Sequence, residues 1–282
     1  MKLTTARVLL TGAAGGIGSA IARELVARGA EVLLVDMNEA ALRRLVEGPL
    51  AAHAAQVDIH AGNLTRPEER TRVAEVAARW RGGVNVLVNN AGVSHFRLLD
   101  EQPAEEVDLA VAVNLQAPIH LCRLLLPHLK RQPEAQILNT GSVFGGIGYA
   151  AYAVYSATKF GIRGFTEALR RELADTTVQV HYLAPRATRT GINTAAVEQM
   201  NAELKVAMDP PPVVALAACD MLEAGTPEAV IGWPEKFFVR LNALLPRLVD
   251  GSLRKQLPVI RRYAGVRAAA SDHSLQAPRT TP

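Results

Sequence analysis

The chain has 282 residues, with 31 Lys and Arg against 27 Asp and Glu, and that length suits one large α/β domain with an appendage better than two small domains. Apolar residues make up 49%, with 21 Gly and 16 Pro, which excludes collagen-like and low-complexity chains and leaves material for a sizeable core. Residues 233–262 carry seven basic and two acidic side chains while residues 1–232 carry 22 and 24, so the body is near neutral, without the basic stripe that a nucleic-acid partner requires.

From the amino terminus, short apolar runs alternate with helical patterns: ARVLLT, IGSAIARELVARG, EVLLVD, EAALRRLVEG. That alternation predicts βαβ units and a parallel sheet. Further strands are expected at 56–60, 84–89, 135–140, 178–183 and 229–233. Helical patterns fill the intervals, including one long run, PAEEVDLAVAVNLQAPIHLCRLLLPHL, and another, AAYAVYSATKFGIRGFTEALRRELA. Seven strands so connected predict a Rossmann-like, doubly wound parallel sheet with helices on both faces. Cys122 and Cys219 sit in apolar helical patterns with no CxxC and no His at ligand spacing, so two buried reduced thiols are expected and no metal site. A short apolar run at the amino terminus leads into a glycine loop, and no uninterrupted apolar stretch approaches about 18 residues, so a cytoplasmic chain that does not span the bilayer is expected.

The first strand ends in Thr11-Gly12-Ala13-Ala14-Gly15-Gly16-Ile17-Gly18, where a helix begins. A turn with few Cβ atoms lets backbone N–H groups and the positive helix end approach a pyrophosphate, with Gly12, Gly16, Ile17 and Gly18 against it. Close packing alone would also explain the glycines, but Asp36 at the end of the second strand stands where a carboxylate accepts hydrogen bonds from an adenosine ribose. No Arg or Lys follows at Met37 or stands at Gly15 to compensate a 2′-phosphate, so NAD is expected over NADP.

Residues 149–161 read YAAYAVYSATKFG, with tyrosines at 149, 152 and 155. Residues four apart share a helix face, and of the three only Tyr155 has a lysine, Lys159, four residues on. Lowering a phenol by two to three pKa units takes roughly 3–4 kcal/mol. One ammonium at about 4 Å, in an effective dielectric of about 20, supplies that much.

The TGAAGGIG loop, Asn89-Asn90-Ala91-Gly92, Asn114, Gly141-Ser142 and Tyr155-Ser156-Ala157-Thr158-Lys159, in that order, resemble the short-chain dehydrogenase/reductase family of the standard single-domain type over roughly residues 5–232. The resemblance implies a homodimer or homotetramer that interconverts an alcohol and a ketone with NAD(H). It implies that Tyr155 is the general acid/base, that Ser142 steadies the substrate oxygen, that Lys159 holds the nicotinamide ribose, and that Asn114 positions a water linking the lysine to solvent. Asn90, Ala91, Gly92, Pro185, Thr188 and Thr190 fall at cofactor-binding positions. The chain departs from the family pattern at Asn63-Leu64, where Asp is usual and an amide oxygen still serves adenine, and at Arg186, where Gly is usual. Arg186 either meets an anionic substrate group or points to water. Tyr149 is expected to pack with a wet hydroxyl, Tyr152 either packs or lines the substrate pocket, and His95 is expected to be structural or solvated.

Residues 191–212 occupy the position of the family's substrate lid. Residues 233–262 form a basic amphipathic extension that Pro246 bends or splits into two helices. It docks on the domain, lies across an oligomer interface, or lies peripherally on an inner membrane surface; the first two are the commoner outcome. Residues 263–282 lack apolar periodicity and are expected to be disordered. The sequence thus predicts an NAD-dependent oxidoreductase of a secondary alcohol and a ketone, on a mainly apolar or lipid-like small-molecule substrate. The rival readings are a 3-oxoacyl-type reductase using NADPH and a non-catalytic NAD-sensing protein.

Overall fold

A computed structural model describes residues 1–265. Seven parallel strands form one sheet: β1 Arg7–Thr11, β2 Glu31–Asp36, β3 Val57–Ala61, β4 Val86–Asn89, β5 Ala135–Thr140, β6 Val178–Ala184 and β7 Glu228–Val230, in the order β3-β2-β1-β4-β5-β6-β7. The central strands are apolar on both faces because helices cover both, so β5 is buried at every residue. One layer is α1 Gly16–Ala27, α2 Glu39–Glu47 and α8 Pro211–Ala224, packed on Val8, Leu10, Val32 and Leu34. The other is α3 Pro67–Arg79, α5 Ala117–Leu129 and α6 Ala153–Glu172, packed on Leu9, Leu33, Leu87 and Ile137.

The strand order reverses between β1 and β4, which opens a crevice at their carboxyl ends. The fourth strand starts two residues later than expected. Asn85, just before it, bonds Arg7 O and Gln136 N through its backbone, and its side chain also accepts from Arg7 N at 2.7 Å and donates to Thr5 O at 3.2 Å. The seventh strand stops at Val230, since Gly232 turns the chain with φ +99°.

The long apolar helix runs from Ala104 to Leu129 as α4 Ala104–Val111, a π-helical turn Ala112–Gln116 and α5. By length and mean hydropathy it is apolar enough to cross a membrane, although polar residues such as Asp108, Asn114 and Arg123 interrupt it. In the fold, however, Leu121, Leu125 and Leu129 lie in the core beneath the sheet.

The region 191–212 contains α7 Ala195–Glu203, and Thr188 and Asp209 pair across its base. The extension forms three helices rather than two: α9 Glu235–Leu244, α10 Pro246–Arg254 and α11 Leu257–Ala264. Proline explains both breaks, because Pro246 and Pro258 each stand in a first helical turn, where a missing N–H costs nothing. α11 packs on α7, tied by Arg262 and the Tyr263 hydroxyl to Glu203 at 2.7 and 2.8 Å. Tyr263 and Ala264 are therefore helical, against the expected disorder from residue 263, while 266–282 lie outside the described residues.

Candidate active site

The glycine turn after β1 is set by backbone sterics. Gly12 has φ +63°, and a Cβ there would stand 2.6 Å from Ala91 Cα; one on Gly18 would stand 2.0 Å from Gly12 O. Side chains at these positions would separate the turn from the β4 loop and from the helix it starts. Asn90 fastens the same junction, donating from Nδ2 to Thr11 O and Gly12 O at 3.2 Å each, while Thr11 Oγ1 accepts from Asn90 N and Ala91 N. No side chain caps α1 at Gly15, which leaves the first-turn N–H groups of a positive helix end for an anion. Asp36 closes the far lip, accepting from Ala14 N and Asn38 N at 3.1 Å each. An uncapped helix end beside a glycine cradle, with the Asp36 carboxylate on its far lip, fits a dinucleotide.

A cavity of about 840 Å³ runs from this turn to the C-terminal helices. Gly12, Gly16, Ile17, Gly18, Asp36, Asn90, Gly92, Ser142, Tyr155, Lys159, Pro185, Thr188 and Thr190 all line it. Thr190 lies directly over the glycine turn, since a Cβ on Gly16 would come within 2.7 Å of its methyl group. Four predicted residues do not line the cavity. Asn63 Oδ1 accepts from Thr65 N and Thr65 Oγ1 at 3.0 and 2.8 Å, so the oxygen expected to face adenine is engaged in its own turn. Leu64 is buried in the core, Ala91 packs under Gly12, and Asn114 lies behind the wall. His95 is also absent from the lining, and its Nδ1 is buried without a partner among the described residues.

Asn114 sits in the π-helical turn. Its side chain clamps the backbone after β4, accepting from Val93 N at 2.8 Å and donating to Val93 O at 2.9 Å, and also donates to Thr158 Oγ1 at 3.2 Å. It thereby joins the β4 loop to α6, the helix that carries Tyr155 and Lys159. Ser142 stands in extended backbone after β5; Phe144 N donates to its Oγ at 3.1 Å, and the buried Tyr182 hydroxyl donates to its carbonyl at 3.3 Å.

Tyr155 and Ser142 line the cavity together, and the Lys159 ammonium lies 5.6 Å from the Tyr155 ring centroid, donating to Thr140 O at 3.0 Å. Burial governs both groups. It pushes the Tyr155 phenol up to about 12, partly offset by the nearby Ser142 hydroxyl, and pulls the Lys159 ammonium down to about 8. In the chain alone, burial therefore outweighs the acidification expected from Lys159 acting together with a cationic nicotinamide ring. Spacing fixes the distance between the two groups, whereas the desolvation of each depends on walls built by distant parts of the chain.

Those walls are aromatic and apolar side chains, and they resolve the alternative left open for Tyr152. Phe144 stacks on Tyr149 at 5.0 Å and meets Tyr155 edge-on at 6.3 Å, and Phe96 and Tyr152 pack beside them. Tyr152 lines the cavity with its hydroxyl pushed up by burial. The Tyr149 hydroxyl is not wet: it bonds Gln256 Oε1 at 2.5 Å, tying the pocket to the extension. Met200 of α7 and Phe238, Leu241, Val249 and Leu253 of the extension complete an apolar chamber. For the extension residues this is docking on the domain, one of the courses expected from their helical periodicity.

Arg186 follows neither expected course. Its Nε and Nη2 donate to Asp209 at 2.8 and 2.7 Å, and Nη1 reaches Glu235 at 3.4 Å. This bidentate pair closes the base of segment 187–209 and holds the start of α9.

The short-chain dehydrogenase profile matches residues 6–201. The chain belongs to the short-chain dehydrogenase family. It is 33% identical over 177 residues to a D-beta-hydroxybutyrate dehydrogenase of Cupriavidus necator, covering 63% of this chain and 68% of that one. A 3-ketoacyl-(acyl-carrier-protein) reductase from Brucella melitensis, solved with NADH, superposes with a TM-score of 0.74 at 28% identity, covering 81% and 96% of the two chains. A metagenomic short-chain oxidoreductase solved with NADP gives 0.68 at 29%, covering 82% and 98%. The chain is thus a short-chain oxidoreductase with a nucleotide cofactor.

Proposed function

We propose that this short-chain dehydrogenase interconverts a secondary alcohol and a ketone with NAD(H), on a mainly apolar substrate, and works as a homodimer or homotetramer in the cytoplasm. One observation carries the reading: Tyr155, which lines the cavity with Ser142 and stands one helical turn from Lys159, lies where the dinucleotide cleft meets the apolar chamber. When bound, the nicotinamide supplies the hydride acceptor or donor. Tyr155 exchanges the proton of the substrate hydroxyl, and Ser142 donates to the same oxygen and steadies its developing charge. Lys159, fixed on the Thr140 carbonyl, stabilises the phenolate and faces the ribose position, and Asn114 sets its helix in place. The chamber excludes water and selects apolar substrates.

The preference for NAD rests on Asp36, whose carboxylate repels a 2′-phosphate. Asp36→Ala is expected to weaken NAD by about tenfold and to narrow its advantage over NADP, the scale of a lost hydrogen bond to a charged group. Steady-state kinetics with both cofactors check this, and an unchanged ratio would contradict it. The activity itself is tested by following NADH absorbance over a panel of secondary alcohols and ketones that includes hydroxy acids and membrane lipids. Turnover confined to 3-oxoacyl thioesters with NADPH would replace the reading, and tight NAD binding without turnover on any of them would indicate a sensor.

A further inference from the structure

We propose that the outer face of the C-terminal extension docks on an anionic lipid bilayer, and that the substrate enters the chamber from that bilayer. The second half rests on the activity proposed above; the first does not. α9 and α10 turn one side inward to wall the cavity, and Asn242 anchors them by donating to Gly146 O at 2.9 Å. The other side leaves large apolar groups in water: Trp233 is 73% exposed, Phe237 48%, Leu244 80%, Leu245 52% and Leu248 64%. Trp233, Phe237 and Phe238 form one ring cluster with centroids 6.1 and 5.6 Å apart, and Leu244 and Leu245 occupy the corner between the helices.

Charge complementarity selects the occupant. Lys236, Arg240, Arg247, Arg254 and Lys255 are all exposed among these apolar groups. Among the described residues, the extension's ion pairs are Arg186–Glu235 and Arg262–Glu203, so those five cations are left for an external anion. A second near-neutral protein body offers them little, whereas an anionic headgroup layer over acyl chains takes both the cations and the apolar side chains. An exposed Trp at the edge of such a face suits the headgroup level. The face also continues into the site, because Phe238 and Leu248 are exposed and line the cavity as well. A hydrophobic alcohol or ketone dissolved in the bilayer would pass these two side chains to Tyr155 without crossing water.

The test uses the full chain and vesicles of phosphatidylcholine, alone or mixed with phosphatidylglycerol, in co-sedimentation and tryptophan-fluorescence assays. The wild-type chain should pellet with the anionic vesicles about tenfold more than with neutral ones, and added salt should release it. Leu244→Asp/Leu245→Asp and, separately, Arg240→Glu/Arg247→Glu should each reduce pelleting by about tenfold, the scale of losing surface attraction at two positions. Neither pair of residues is placed in the reacting machinery, so elution in gel filtration and turnover of a water-soluble substrate should not change. Vesicles should shift the tryptophan emission to the blue, and Trp233→Phe should remove the shift, leaving Trp80 as the other tryptophan. Wild-type chain that stays in the supernatant, or variants that pellet as before, would overturn the proposal. A change of oligomeric state in the leucine variant would overturn it too, since the face would then join two copies of the chain. Vesicle binding without turnover would refute the enzymatic reading and leave the docking intact.

Discussion

Tyr155→Phe should lower kcat by about 10²- to 10⁴-fold while leaving dinucleotide affinity within about twofold, the loss expected when a positioned acid/base is removed. The substitution deletes one oxygen and keeps the ring, so the edge contact with Phe144 at 6.3 Å and the contact with Tyr152 at 6.1 Å persist. The groups expected to hold the dinucleotide, the glycine turn and Asp36, lie at the other end of the cavity. Stability is also expected to change little, because Ser142 keeps its bond from Phe144 N and the Tyr182 hydroxyl still holds its carbonyl. Steady-state kinetics and a fluorescence titration with the cofactor separate the two effects. A variant retaining a tenth of the activity would show that another group moves the proton.

Gly18→Ala should have the largest effect at the nucleotide end. The added methyl would stand 2.0 Å from the Gly12 carbonyl oxygen, 2.8 Å from its carbon and 2.9 Å from Ala13 Cα, all of them backbone atoms with no rotamer to yield. The turn must shift, and overpacking of this kind costs about 1–3 kcal/mol of stability. Because the shift moves the N–H groups that face the pyrophosphate, cofactor affinity should fall by at least about tenfold, the scale of one lost hydrogen bond to a charged group. Gly15→Ala is the control, since its methyl would meet nothing nearer than Gly12 O at 3.4 Å. It should cost less than about 1 kcal/mol, the scale of a poorer helix cap. Thermal melts with and without cofactor distinguish the two variants, and equal behaviour would contradict a sterically fixed turn.

The sheet was legible because parallel strands covered on both faces appear as unbroken apolar runs, so β5 coincides with the run read from the sequence. Strand ends were less legible: β4 starts at Val86 although the Asn85 backbone already bonds Arg7 O and Gln136 N, and Gly232 ends β7 early. The reacting group was legible for a local reason, in that Tyr155 and Lys159 share a helix face and Ser142 follows a strand. What escaped were contacts across long stretches of chain, where no period or spacing applies. Arg186 and Asp209 are 23 residues apart and Tyr149 and Gln256 are 107 apart, yet these pairs fix the base of segment 187–209 and bind the extension to the pocket. The same distant walls bury the phenol and the ammonium, a contribution that charge spacing alone does not contain.

Proton exchange by the Tyr155–Lys159 pair is most directly tested by the pH dependence of alcohol oxidation at saturating cofactor. The pair must accept the alcohol proton, so it must first have lost one of its own. Phenolate with ammonium and phenol with neutral amine contain the same number of protons, so one ionisation of the pair controls both forms. Burial places that first loss near the lowered lysine value of about 8. Oxidation should therefore rise with pH through about 8 and then level, ketone reduction should fall over the same range, and Lys159→Met should remove the inflection from both. Oxidation that is flat across this range, or that keeps its inflection in Lys159→Met, would contradict the role assigned to the pair.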